Sequence, residues 1–336
     1  MSSLRVGVVG AGMMGADHIT RINTKIVGAE VTAVIEPDEK RAKAITDQFS
    51  SIKHFKNIEE ALAAKVVDAV LIATPGEYHE QVILPILKAG LPILSEKPLT
   101  PDSASAMRVL KAEMEAGKKL IQVGFMRRFD NGYQELRELI VNKKQGELLG
   151  MHCAHRNPSV PDTYYNDMLI FDSVVHEIDV VRFLTDSPIH SVQVRQMKRN
   201  SLSPEKLNEP ILVLLQTKSG VLATVEMNVS VRFGYQVKTE AVFEKGIAEI
   251  GRTSGMTRFV EGSITWPEHM SFKTRFSQAF ETEIQLWVDA AKKGTIAGPS
   301  AWDGYLAACA VEAGLEARSS GKIIEVKYDE KPAFYN

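Results

Sequence analysis

Short apolar runs and helical repeats alternate along residues 4–125. LRVGVV is followed by a helical pattern over about 14–25, VTAVI by EKRAKAITDQF, VDAVLIA by EYHEQVILPILKAG, and PILSE by DSASAMRVLKAEMEAG; KLIQVGF closes the series. Runs this short, rich in β-branched residues and separated by helices of about ten to fifteen residues, predict a doubly wound parallel sheet. After about residue 145 the rhythm changes. SVQVRQM, ILVLLQT, GVLATVEMNVSV, YQVKTEAVF and GIAEIG read as successive strands, many joined by turn-like pieces such as TKSG and EKG. These predict an α+β domain on a large, mostly antiparallel open sheet, with helices over about 171–184, 275–293 and 299–320. A chain of 336 residues is long for one core. The expected division is therefore α/β, with domains over 1–125 and 126–336 and a C-terminal helix packing back on the first.

VGVVGAGMMG sets Gly10, Gly12 and Gly15 directly after a strand and at the start of a helix. The first glycine allows the tight turn, the second lets a pyrophosphate approach the backbone, and the third lets helix and strand pack closely. The helix N-terminus attracts the phosphates. Glu36 ends the second strand in VTAVIEPD, where an acid accepts hydrogen bonds from ribose hydroxyls and repels a 2′-phosphate. The N-terminal half thus reads as a Rossmann-type dinucleotide-binding domain that prefers NAD. Lys40 and Arg41 follow closely and keep NADP open.

Two further stretches carry candidate chemistry. PILSEKPLT ends a strand run in Glu96-Lys97-Pro98. Strand carboxyl ends in open α/β sheets face the ligand crevice, and Pro98 steers Lys97 away from helical geometry. A lysine there can bond a substrate hydroxyl, although an ordinary surface lysine fits the local pattern equally well. FDSVVHEIDVVRF, residues 171–183, has the apolar content of a buried helix yet carries Asp172, His176 and Asp179. At about 100° per residue these three fall in a wedge of about 60°, with Val174, Ile178 and Val181 on the opposite side. Val175 and Phe183 share the polar stripe, so it is expected to form a partly dry pocket wall.

Composition narrows the function classes. With 44% apolar and 24% charged residues and a net charge of −2, nothing calls for nucleic acid or an acidic membrane as partner. No run approaches the roughly 18 apolar residues of a membrane span, and MSSLRVGVVGAG shows no signal-peptide pattern. Cys153 and Cys309 are too few for a disulfide framework, which suggests a reducing, cytoplasmic setting. His152, His155, Asp172 and His176 can be written as metal ligands. Cys153, however, points to the opposite strand face from His152, and Lys97 as electrophile makes a metal unnecessary, so none is expected.

GAGMMG, TPGEYH, EKPL and a helix with Asp-x-x-x-His together resemble the glucose–fructose oxidoreductase/inositol dehydrogenase family, and the resemblance runs along nearly the whole chain. QVGFMRRFD, HCAHRNP, DSVVHEID, GYQVK, GPSAWDGY and KPAFY resemble its bacterial inositol-oxidising members. The resemblance implies that Lys97, Asp172 and His176 are catalytic, and that Arg127, His155, Asn157 and Tyr235 contact the inositol ring. It implies that Gly10, Gly12, Met13, Met14, Gly15 and Glu36 form the NAD loop and ribose acid, while Thr74, His79, Glu96, Lys97 and Met126 line the rest of the cofactor cleft. It also implies a homotetramer, with 126–336 serving substrate binding and oligomerisation. Two positions depart from the usual inositol-enzyme pattern: Glu36 stands where Asp is common, and PGEYH differs beside the nicotinamide side.

The implied reaction is NAD-dependent oxidation of myo-inositol to its 2-keto product. Imidazole titrates at about pH 6.5, which suits His176 as general base. Asp172 would orient it, and Lys97 would stabilise developing alkoxide; whether the proton leaves through Lys97 or His176 stays open. The same chemistry on scyllo-inositol, chiro-inositol or glucose is an alternative, as is a non-catalytic NAD-binding sensor. Read alone, Arg127 beside Arg128 also fits a solvated pair, His155 a structural strand histidine, and Tyr235 ordinary sheet packing. Asp179 reads as a partner for a nearby Arg or Lys. SVQVRQM and VLATVEM further suggest an apolar exposed face on the second sheet, inviting sheet-to-sheet association.

Overall fold

A computed structural model describes residues 3–251 and 255–336. The chain divides into two compact units, Met1–Phe125 with Phe280–Ala308 and Asp329–Asn336, and Met126–Ala279 with Cys309–Tyr328. The first unit alternates strands and helices: β1 (Leu4–Val9), α1 (Met13–Lys25), β2 (Ala29–Ile35), α2 (Glu39–Gln48), β3 (Lys53–Phe55), α3 (Ile58–Ala63), β4 (Ala69–Ile72), α4 (His79–Lys88), β5 (Ile93–Glu96), α5 (Ser103–Ala116) and β6 (Ile121–Gly124). The six strands are parallel in the order β3-β2-β1-β4-β5-β6. That order reverses direction between β1 and β4, so the loops after these two strands flank the crevice where such sheets bind ligands. The apolar runs read from the sequence are the strands. The three-residue β3 and the short α3 are too brief to show a period.

In the second unit α6 (Asn131–Val141) and β7 (Leu148–Arg156) precede a π-helical turn at Leu169–Val174, which leads into α7 (Val175–Thr185). Then come β8 (Ile189–Gln196), β9 (Ile211–Thr217), β10 (Leu222–Asn228), β11 (Gln236–Phe243), β12 (Gly246–Ile250) and a small hairpin, β13 (Arg258–Val260) and β14 (Ser263–Thr265). Helices α8 (Phe272–Arg275), α9 (Ser277–Ala291) and α10 (Ala301–Ser320) precede β15 (Ile323–Glu325). The sheet runs β12-β11-β7-β10-β9-β8-β15, and only β7 and β10 pair in parallel. One face is buried through Met151, Val194, Val213, Val225 and Val237.

The other face differs from the apolar surface that SVQVRQM and VLATVEM suggest. Val192, Val194, Ala223 and Val225 all lie on the buried side. Gln193, Arg195, Thr224 and Glu226 alternate with them on the open side, beside Leu212 and Leu214. The alternation marks the side turned to the core, because strand side chains point to opposite faces in turn. Arg156 meets Glu226 and Gln236 on the open face, and His152 lies 2.9 Å from Thr224.

The core of the first unit is completed from far along the chain. Ile284, Trp287, Val288 and Ala291 of α9 join Val6, Val8, Ile19, Ile22 and Leu71 in one buried cluster. A second anchor is polar. Glu113 of α5 is fully buried, and its Oε1 accepts the backbone N–H groups of Leu120 and Ile121, each at 2.7 Å. Its Oε2 accepts the Tyr335 hydroxyl at 2.6 Å. Burial pushes the Glu113 pKa up, against the opposing pull of these three donors.

A carboxyl with a raised folded-state pKa holds its proton more tightly folded than unfolded, so stability falls as pH rises from the unfolded value to the folded one. Glu113→Gln keeps an oxygen for the two amides and offers Tyr335 a donor. Thermal melts of this variant are expected to gain on the parent as pH rises from the ordinary value of 4.5. Glu113→Ala is expected to lose about 1–3 kcal/mol by stranding the buried amides. A pH-independent difference between the Gln variant and the parent would contradict the account.

Candidate functional site

In the first unit the glycine loop is shaped by close approach. Gly10 has φ +92°, and a Cβ there would stand 2.8 Å from Ala73 O. At Gly15 a Cβ would stand 1.9 Å from Gly10 O, so α1 can begin under the loop only with hydrogen at that position. Gly12 is different: a Cβ there meets nothing within 4 Å, so this glycine faces open space. It caps α1 without a side-chain hydrogen bond, and the first turn carries no acid. The first-turn N–H groups and the positive end of the helix dipole are thus offered to an anion.

The space belongs to a cavity of about 850 Å³ lined by Gly10, Gly12, Met13, Met14, Glu36 and Thr74, with Arg41, Asn57 and Tyr78 further along. Glu36 is almost completely buried; its Oε2 accepts Ala11 N–H at 2.8 Å and its Oε1 accepts Asp38 N–H at 3.0 Å. The acid therefore braces the glycine loop while presenting its remaining lone pairs at the wall. Thr74 Oγ1, also buried, has no protein partner. A glycine cradle with a free helix terminus, a fixed acid and an orphaned hydroxyl fits a dinucleotide. NAD would be held there by the α1 N-terminus, Glu36 and Thr74.

His79 and the EKP segment lie next to this wall. His79 is fully buried, with Nε2 2.9 Å from Thr74 O and Nδ1 2.8 Å from Pro98 O. Burial pushes its pKa down, against the carbonyl contacts that favour its charged form. The ring thereby links the β4 loop to the segment that carries Lys97, whose peptide bond to Pro98 is cis. Glu96, at the end of β5, receives His18 Nε2 at 2.7 Å.

In the second unit the sequence-predicted polar residues gather around a buried ion pair. Arg127 lies in a short 3₁₀ turn, Met126–Phe129, and is 1% exposed. Its Nη1 bonds Glu177 Oε1, and its Nη2 is 3.2 Å from His155 Nδ1. The same Nδ1 is 3.2 Å from Glu177 Oε2. Burial pushes the Glu177 carboxyl up, but Arg127 and His155 pull it down to about 2. The His155 ring centroid is 5.9 Å from Tyr235 and 6.3 Å from His176. Burial pushes the Tyr235 phenol up to about 12 despite the adjacent guanidinium. Asn157, just past β7, anchors its N–H on Asn228 O at 2.9 Å and leaves Oδ1 without a protein partner. Arg127 Nε is likewise unpaired, so one donor and one acceptor are left unused among the predicted ring contacts.

Asp172 lies in the π-helical turn and His176 in the first turn of α7. Asp172 is in hydrogen-bonding contact with the Tyr164 phenol, whose pKa is raised first by burial and then by this carboxylate. The Tyr164 hydroxyl also lies 2.8 Å from Met168 O and 2.8 Å from Ser173 Oγ. Asp179 is 1% exposed and takes Arg128 on both oxygens, with Arg182 at 3.6 Å. Glu177 and Tyr164 escaped the sequence reading. On an ideal wheel Glu177 falls about 140° from Asp172, among the valines, and a carboxylate on an apolar face is itself a sign of a buried partner. No signal marked Tyr164, which sits in the loop before the turn. Among the described residues there is no group of three or more His, Cys, Asp or Glu placed to hold a metal, and no helix long and apolar enough to cross a membrane.

Comparison with known proteins agrees along both units. Residues 4–125 match the oxidoreductase family, NAD-binding Rossmann fold, and residues 133–249 match the GFO/IDH/MocA C-terminal domain. The inositol 2-dehydrogenase of Leifsonia xyli subsp. xyli is 54% identical over 333 residues, covering 99% of this chain and 98% of that one. That of Corynebacterium glutamicum strain ATCC 13032 is 54% identical over 334 residues, 99% of each. The crystal structure of myo-inositol dehydrogenase from Lactobacillus casei in complex with NAD(H) and myo-inositol superposes with a TM-score of 0.96 at 34% identity, covering 99% of this chain and 100% of that one. The scyllo-inositol dehydrogenase of the same organism, with NAD(H) and scyllo-inositol, gives 0.90 at 26% identity, with 97% and 99% covered.

The two loop glycines separate folding from binding. Gly12→Ala is expected to melt within about 1 kcal/mol of the parent yet to bind NADH more weakly by fluorescence titration, because its Cβ enters the space left for the phosphates. Gly15→Ala is expected to lose stability and binding together. Unchanged NADH affinity in Gly12→Ala would place the pyrophosphate elsewhere.

Proposed function

We propose that this chain, which belongs to the GFO/IDH/MocA oxidoreductase family, oxidises myo-inositol to 2-keto-myo-inositol (scyllo-inosose). The observation that carries the reading is the whole-chain identity of 54% to inositol 2-dehydrogenases. The cluster of Arg127, His155, Asn157 and Tyr235 in the second unit supports it, with its unpaired donor and acceptor. Sites built to bond hydroxyls reject analogues that lack them, and a ring polyol is distinguished by many such bonds.

When bound, NAD supplies the acceptor for the hydride that leaves the alcohol carbon. The chain's own residues handle the proton and the geometry. His176 takes the hydroxyl proton as the carbonyl forms, a contribution typically worth about 10²–10⁴-fold. Asp172, one turn earlier and held by Tyr164, orients the imidazole and stabilises its charged form. Lys97, following β5, holds the substrate oxygen and stabilises its developing negative charge. Glu36 favours NAD by opposing a 2′-phosphate. The family resemblance supports a homotetramer, and two buried cysteines that form no disulfide, Cys153 and Cys309, support a reducing cytoplasmic setting.

Lys97→Ala and His176→Ala are each expected to lower turnover by at least about 10²-fold while NADH still binds; near-wild-type turnover in either removes it from the mechanism. A panel of myo-, scyllo- and chiro-inositol and glucose, read by NADH absorbance, is expected to show the highest kcat/KM on myo-inositol with NAD and a much lower one with NADP. Preference for another polyol would reassign the substrate. NAD binding without turnover on any of them would make the chain a sensor.

A further inference from the structure

We infer that Glu177 is the positioning residue of the polyol site: it holds Arg127 and decides which nitrogen of His155 carries the proton. The inference rests on the polyol dehydrogenase reading above. His176 and Glu177 are neighbours in α7, so their side chains leave the helix about 100° apart. One belongs to the proposed proton transfer; the other is 2% exposed and reaches two residues on other elements.

His155 Nδ1 stands 3.2 Å from a donor, Arg127 Nη2, and 3.2 Å from an acceptor, Glu177 Oε2. A single ring nitrogen serves one of them at a time. Protonated, it donates to Glu177; deprotonated, it accepts from Arg127, and in a neutral ring Nε2 takes the complementary role. The Glu177 carboxylate is acceptor-only and draws the proton to Nδ1, leaving Nε2 as an acceptor for a substrate hydroxyl. The other oxygen of the same carboxylate fixes the guanidinium through Nη1, while Arg127 Nε keeps no protein partner. The Cζ carbon of Arg127 lies 5.5 Å from the centre of the Phe276 ring, which closes that side of the plane. One carboxylate thus determines both a donor and an acceptor, which is what a ring with several hydroxyls requires for a single orientation.

Glu177→Gln is the direct test. Its amide can present NH₂ to His155, which would convert Nδ1 to an acceptor and Nε2 to a donor. Histidine ring ¹⁵N spectra, assigned with a His155→Gln control, are expected to show this exchange of tautomer. KM for myo-inositol is expected to rise by up to about 100-fold, with NADH affinity unchanged and kcat reduced much less. Should the variant fail to fold, Glu177→Asp retains the counter-charge with a shorter reach and is expected to raise KM while leaving NADH affinity unchanged. A folded Glu177→Gln with the parent's KM and tautomer, or a folded Glu177→Asp with the parent's KM, would overturn the inference. If the parent turns over no polyol, the functional reading fails instead, and the ring spectra, which need no substrate, still decide the role of Glu177.

Discussion

A guanidinium and a carboxylate, both withdrawn from water, set the geometry of the second unit. Arg127 and Glu177 are each nearly inaccessible, and neither can relax toward solvent. Removing one partner of such a pair typically costs about 3–5 kcal/mol, because the other stays charged and buried. The pair is therefore tolerable only in one arrangement, and its neighbours inherit that restriction. His155 shares the carboxylate, Tyr235 packs its ring edge-on against His155, and Phe276 lies against both Tyr235 and the guanidinium. The rigidity comes from paired charges held out of water together with the rings packed around them.

The first unit relies on a different economy, one of backbone clearance. Gly15 lets α1 start where any side chain would collide with Gly10 O, and Gly10 itself turns with positive φ against Ala73. Glu36 then ties the loop to the end of β2 through backbone amides on both sides. Hydrogen-bonded amides on an acid at a strand end hold the loop open, and His79 extends the same wall to the segment around Pro98.

Much of this was legible in the chain itself. The β-α alternation, the glycine spacing and Glu36 need only local context, because turn, strand and helix signals coincide within about 35 residues. Strands β8 to β12 of the second sheet were equally plain, since a half-buried strand writes its two faces alternately into the sequence, whereas β7 and the three-residue β15 were not among the runs that stood out. What local pattern could not convey was partnership across distance. Glu177 lies 50 residues from Arg127 and 22 from His155. The π-helical turn at Leu169–Val174 also shifts the phase of the helix, so an ideal wheel drawn through Asp172 and His176 misplaces their neighbours. Asp179, unassigned in chemistry, is explained by Arg128 and Arg182, the first of them 51 residues away.

The return of α9 to the first core has a consequence for how the molecule comes into being. The N-terminal 125 residues contain every strand of the parallel sheet, yet Ile284, Trp287 and Val288 fill its centre. At ~5–20 residues per second, a ribosome needs roughly ten to thirty seconds to go from the last strand to these side chains. During that interval any sheet already formed lacks part of its interior. The N-terminal half is thus born before it can be finished, and its final packing is a late event, set by the arrival of a helix encoded near the other end.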